Sequence, residues 1–119
     1  MANQIKPNEH HKLLIKTVYG RLLLDSDKHG AEFSLEGGEG RWTVAVSRVE
    51  PAVMREIERL AEELNLFFFI ERPGGDPPIR KWWLYGKHKH PRLMKDADAG
   101  TMTIEVDARV EYANDRVML

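Results

Sequence analysis

The chain has 119 residues, 42% apolar and 31% charged, with no cysteine, which excludes a disulfide framework and a thiolate metal site. The formal net charge is −1, but residues 79–95 carry six basic side chains and no acidic one, leaving 12 basic against 19 acidic residues elsewhere. No stretch approaches the ~20 apolar residues that span a bilayer, and the first residues lack a signal-peptide pattern, so the expectation is one globular cytoplasmic domain over residues 1–119, with 1–8 as a polar lead-in.

Taken in chain order, the first element is predicted as a helix over 9–24. Asn8 stands as its N-cap, and Leu14, Ile15, Val18, Leu22 and Leu23 recur at helical spacing. Gly20 weakens it by ~1 kcal/mol against alanine, and the β-branched Ile15, Thr17 and Val18 keep a strand open. The polar run from Asp25 to Gly30 ends the element, with Gly30 suited to a left-handed turn. A hairpin follows, 31–36 against 41–49, around Gly37, Gly38 and Gly40. In its second strand Trp42, Val44 and Val46 share one face.

Pro51 fits the first position of a second helix, over 51–65, whose stripe is Val53, Ile57, Leu60, Ala61 and Leu64. The aromatic run 66–70 reads as a buried central strand, 72–78 as turn chemistry and 79–85 as a further strand. Alternation in that strand puts Trp83 on one face with Ile79 and Tyr85, and Trp82 on the other with Leu84, so one tryptophan is expected in the core. Residues 86–100 read as irregular. The cleanest alternation in the chain lies over 101–113, with Met102, Ile104, Val106, Ala108, Val110 and Tyr112 on one face. Residues 116–119 can return as a short strand. The fold class expected is α+β: an antiparallel or mixed sheet of about five to six strands with two helices packed on one face.

Three segments have the composition for chemistry. The first interleaves Trp82, Trp83 and Tyr85 with Arg80, Lys81, Lys87, Lys89, Arg92 and Lys95, and adds His88 and His90. Cations neutralise phosphates and aromatic faces stack on bases, so this set suits nucleic acid; Trp, Tyr and Arg also dominate protein hot spots, so it equally suits an acidic protein surface. The second is His88 and His90, one residue apart. On a strand they would share a face, and Asp96 and Asp98 could complete a metal site. The third is Asp25, Asp27 and Glu36, spaced as positions one, three and twelve of a calcium loop, but followed by a glycine-rich hairpin where that motif needs an exit helix. No tightly held metal and no cofactor is expected.

No catalytic constellation stands out. The first-ranked expectation is therefore a small non-catalytic binding, adaptor or inhibitor protein that engages nucleic acid or an acidic protein surface. A metal-dependent hydrolase or nuclease using the histidine pair is the second. A structural or assembly subunit, self-associating by strand addition through 101–113, is the third.

Overall fold

The computed structural model of the chain describes residues 8–112. Nine strands and one helix are found there: β1 (His10–Thr17), β2 (Leu22–Asp25), β3 (Glu32–Gly38), β4 (Arg41–Ser47), α1 (Pro51–Arg59), β5 (Leu64–Glu71), β6 (Ile79–Tyr85), β7 (Arg92–Asp96), β8 (Thr101–Val106) and β9 (Ala108–Tyr112). The strands form two antiparallel sheets, ordered β2-β1-β5-β6-β9 and β3-β4-β8-β7. Their inner faces meet in one core. Leu13, Ile15, Leu66, Phe68 and Leu84 of the five-stranded sheet pack with Leu35, Val44, Val46, Ile104 and Val106 of the four-stranded sheet. The architecture is a β-sandwich with one helix, which overturns the expected α+β sheet carrying two helices on one face.

The first predicted helix is instead the β1–β2 hairpin. Leu13, Ile15 and Thr17 are buried while Lys12, Leu14 and Lys16 are half-buried, a period of two and not of 3.6. The β-branched Ile15, Thr17 and Val18, which fit a pleated surface well, were the signal for this outcome. Gly20 is not a weak point in a helix; it holds φ +90° in the turn between the strands. Asn8 caps no helix.

The second helix forms but is shorter than expected. It ends at Arg59, a single tight turn (Ala61–Glu63) follows, and Leu64 already begins β5. Its buried side chains are Met54 and Ile57, with Val53 and Leu60 only partly buried against the core. Since these residues join the inter-sheet core, α1 closes one open side of the sandwich and lies on no outer sheet face.

Two further corrections concern the C-terminal half. The stretch expected to be irregular contains β7, an edge strand paired to β8. The long alternating strand is broken at Asp107: β8 lies inside the four-stranded sheet, between β4 and β7, and β9 lies at the edge of the other sheet, beside β6. A strand that crosses between facing sheets without rolling keeps its side chains pointing in the same absolute direction. The face turned inward in one sheet is then turned outward in the next. Met102, Ile104 and Val106 are accordingly buried, whereas Val110, of the same parity, is 43% exposed. Of the strand expected over 101–113, β8 is paired on both sides, and β9 keeps one edge open among the described residues. The strand expected over 116–119 lies outside the described residues.

Candidate functional site

The two outer sheet faces differ in chemistry. On the four-stranded sheet the aligned outward positions are Ser34, Ala45, Thr103 and Met94 in one rung, and Glu36, Thr43, Glu105 and Arg92 in the next. That is an ordinary solvated surface of small and charged residues. On the five-stranded sheet one outward rung runs Leu14, Phe67, Trp83, Val110, and its neighbour runs Lys12, Phe69, Lys81, Tyr112. Beyond Trp83 on β6 lies Tyr85, opposite Ala108, and Lys16 of β1 lies opposite Asn65. Two strands earlier in the chain and one later thus converge on β6 to build a face of five aromatic rings, two aliphatic side chains and three lysines.

Local packing holds these rings in place. Trp83 and Tyr85, two residues apart on one strand, lie parallel with centroids 3.9 Å apart and planes at 19°. The Trp83 indole N–H donates to Asn65 Oδ1 at 3.1 Å. Lys16 Nζ sits 5.6 Å from the centre of the Phe67 ring, and Lys12 Nζ is 3.8 Å from the Asp25 carboxylate. Burial raises the Tyr112 phenol above its ordinary value. Asp25 stands opposite Leu14 at the β2 end of the first rung, and Glu71 lies opposite His10, one rung beyond the second.

The inner side of β6 has another role. Trp82, 7% exposed, belongs to the core and stacks on Phe68 at 5.3 Å. Arg80 forks onto Glu111 with both nitrogens, at 3.0 and 2.8 Å, and its guanidinium lies 4.8 Å from the Trp82 ring. This pairing raises the arginine and lowers the glutamate relative to their usual values. Arg109 stacks 3.9 Å from the Trp42 ring, and desolvation there lowers its pKa. Charges facing the gap from edge strand β9 also blunt that edge against pairing with other chains.

A comparison of the chain with protein-family models, curated proteins and solved structures finds no match in any of the three. The site therefore has to be judged on its own chemistry.

Of the residues singled out from sequence, Lys81, Trp83 and Tyr85 stand on the outer face, Trp82 faces the core, and Arg80, on the same side of β6 as Trp82, is partly exposed beside Glu111. Lys95 Nζ is 3.0 Å from Glu58 and ties β7 to α1. Lys87, His88, Lys89 and His90 lie in the loop between β6 and β7, not on a strand, so the alternation that would align His88 with His90 is absent. Asp96 ends β7 and Asp98 lies in the turn beyond it, and no group of three or more His, Asp or Glu among the described residues is arranged to hold a metal. Asp25 ends β2 and Asp27 lies in the β2–β3 turn, whereas Glu36 is on β3 among the glycines of the next hairpin. Asp25 Oδ1 instead accepts from the backbone N–H of Asp27 and Lys28. Sequence reasoning missed Lys12, Leu14, Lys16, Phe67, Phe69, Val110 and Tyr112, which complete the face.

The β6–β7 loop is built, not loose. The Asp107 carboxylate accepts from the backbone N–H of Lys87 at 2.6 Å and of His88 at 2.8 Å. A Cβ at Gly86 would lie 2.3 Å from the Lys89 carbonyl oxygen, so only glycine allows this close turn. The two amides hold the Asp107 pKa below its ordinary 3.8. A lowered carboxylate pKa means that the clamp is intact at neutral pH and is lost only as pH falls through that lowered value. Asp107→Asn should speed hydrogen exchange at Lys87 and His88 at neutral pH without exposing β5. Unchanged exchange at both amides would show that the carboxylate does not order the loop.

Proposed function

We propose that the protein is a non-catalytic binding module for single-stranded nucleic acid, and that the outer face of the five-stranded sheet is its binding surface. One observation carries this reading: the sheet presents Phe67, Phe69, Trp83, Tyr85 and Tyr112 with Lys12, Lys16 and Lys81 outward, while the outer face of the other sheet is polar. The rings of this face are half-buried by one another, and the apolar surface they still leave in water is what a planar apolar ligand would cover. Lysines between the rings add charge complementary to a phosphodiester backbone. Open four-stranded faces with aromatics stack two or three unpaired bases in this manner, and the likeness here is one of surface chemistry alone. The acidic balance outside residues 79–95 disfavours a long duplex, whose phosphates would meet carboxylates wherever it left the site.

A cytoplasmic location goes with this reading, since it needs no disulfide. Among the described residues no helix is long and apolar enough to cross a membrane.

The test is an anisotropy panel of single-stranded, hairpin and duplex oligonucleotides across a salt series. Saturable binding of the single strands is expected, with affinity falling as salt rises through counterion release, and with duplex at least about tenfold weaker because its bases are already stacked. No saturable binding of any single strand at low salt would reject the reading and turn the search to an acidic protein partner.

A further inference from the structure

At the corner where β6 leaves for β7 and β8 passes into β9, a cleft of about 370 Å³ opens beside the loop just described. Its walls include Gly40 and Arg41 from the β3–β4 turn, Lys89, His90 and Arg92 from the β6–β7 connection, and Glu105. Both carboxylates at this corner are already engaged. Glu105 pairs with Arg41 Nε at 2.8 Å, and Asp107 is held by two backbone amides. Arg92 is aligned with Glu105 across the β7–β8 pair, but that carboxylate points its close contact at Arg41. Arg41, Lys89 and Arg92 set against Glu105 and Asp107 leave one net positive charge at one concave site, with His90 beside them as a further donor.

We propose that this cleft is a phosphate site, taking a phosphate of the same strand whose bases stack on the outer face of the five-stranded sheet. Gly86 and the clamped loop follow Tyr85 directly, so a strand leaving the stacking face at Tyr85 would pass round this corner to the cleft, which opens beside the outward rung of the other sheet. A concave site holds a tetrahedral anion better than a flat lysine surface does, since it gathers donors from several directions and excludes part of the competing water. Preorganisation is the second requirement. Asp107 fixes the loop by its backbone while leaving the Lys89 side chain to the cleft, and Gly86 permits the reversal that brings Lys89 and Arg92 to the same opening. An unclamped basic loop would have to be ordered at the cost of affinity. Asp107 thus supports the anion site by ordering its loop, with both carboxylate oxygens taken by amides, while its negative charge stays at the corner.

The source of the phosphate rests on the nucleic-acid reading, while the seat itself does not, so two measurements are combined. A labelled single-stranded dodecamer is titrated by anisotropy into the wild type and the Lys89→Ala/Arg92→Ala variant across a salt series. Inorganic phosphate is titrated into both at constant ionic strength while the amide resonances of residues 86–92 are followed. The expected results are an affinity for the strand about tenfold lower in the variant, a plot of log affinity against log salt shallower by about 0.7 for the one lost phosphate contact, and saturable phosphate shifts in the wild type alone. If the strand binds both proteins with equal affinity and slope, the seat is overturned and the sheet face stands. If no strand binds but phosphate saturates the wild type only, the seat stands for phosphate and the nucleic-acid reading falls. Shifts that are absent, or equal in the two proteins, together with no strand binding, remove both.

Discussion

Phe68→Ala should destabilise the protein by ~3–5 kcal/mol, whereas Phe67→Ala, one residue earlier, should cost less than half as much. Phe68 is 2% exposed on β5, the middle strand of its sheet. Its ring stacks on Trp82 at 5.3 Å and meets His11 and Phe33 edge-on, at 5.5 and 5.8 Å. Those partners come from β6, β1 and, across the sandwich, β3. Each favourable ring pair adds roughly 0.5–1.5 kcal/mol beyond its buried area, and truncation leaves a cavity that two opposed sheets cannot close. Phe67 faces outward, beside Leu14 and Trp83, and loses much less contact on truncation. Urea unfolding of both variants provides the check. Equal shifts in midpoint would mean that the parity of β5 is misassigned, and with it the identity of the aromatic face.

The local pattern of the sequence was readable where one strand has one buried face and a tight turn beside it. The hairpin around Gly37 to Gly40 is such a case: Val44 and Val46 are buried, and the register places Gly37 opposite Trp42. The split between Trp82 and Trp83 was readable for the same reason, since a period of two admits only one assignment of faces. What failed were inferences that needed long-range pairing. Residues 9–24 satisfy a helical template only if the exposed Val18 and Leu22 are counted as core residues; in the fold they are 55% and 41% exposed, and the alternation of Leu13 and Ile15 governs. The run 66–70 read as buried on both sides because three phenylalanines in succession carry no polar marker of an outward face. The change of sheet at Asp107 left no trace in the alternation, which continues unbroken while its meaning inverts. That inversion hid Val110 and Tyr112, and with them half the evidence that the outer face is apolar by construction. A hydrophobic pattern states which residues share a side of a strand; it does not state which sheet that side belongs to.

The largest effect on binding is expected from Trp83. Its ring stands in the rung Leu14, Phe67, Trp83, Val110, it is stacked with Tyr85, and its N–H is fixed by Asn65. A base added to the open end of the Trp83–Tyr85 stack meets rings that are already oriented, so little side-chain entropy remains to be lost. Trp83→Ala should therefore weaken single-strand binding by about 1–3 kcal/mol, or roughly 5- to 150-fold, and Trp83→Phe should recover most of the loss. The salt slope should not change, because the indole neutralises no phosphate. This separates the face from the basic corner, where the Lys89→Ala/Arg92→Ala variant should alter the slope. Circular dichroism should show the Trp83→Ala variant folded, since the ring lies outside the core that holds Trp82. A variant that keeps full affinity while the corner variant loses it would assign binding to charge alone and reject the stacking face. A loss of affinity accompanied by a shallower salt slope would instead show that removing the ring displaces the lysines beside it, so that Trp83→Phe, which keeps a ring there, decides between contact and support.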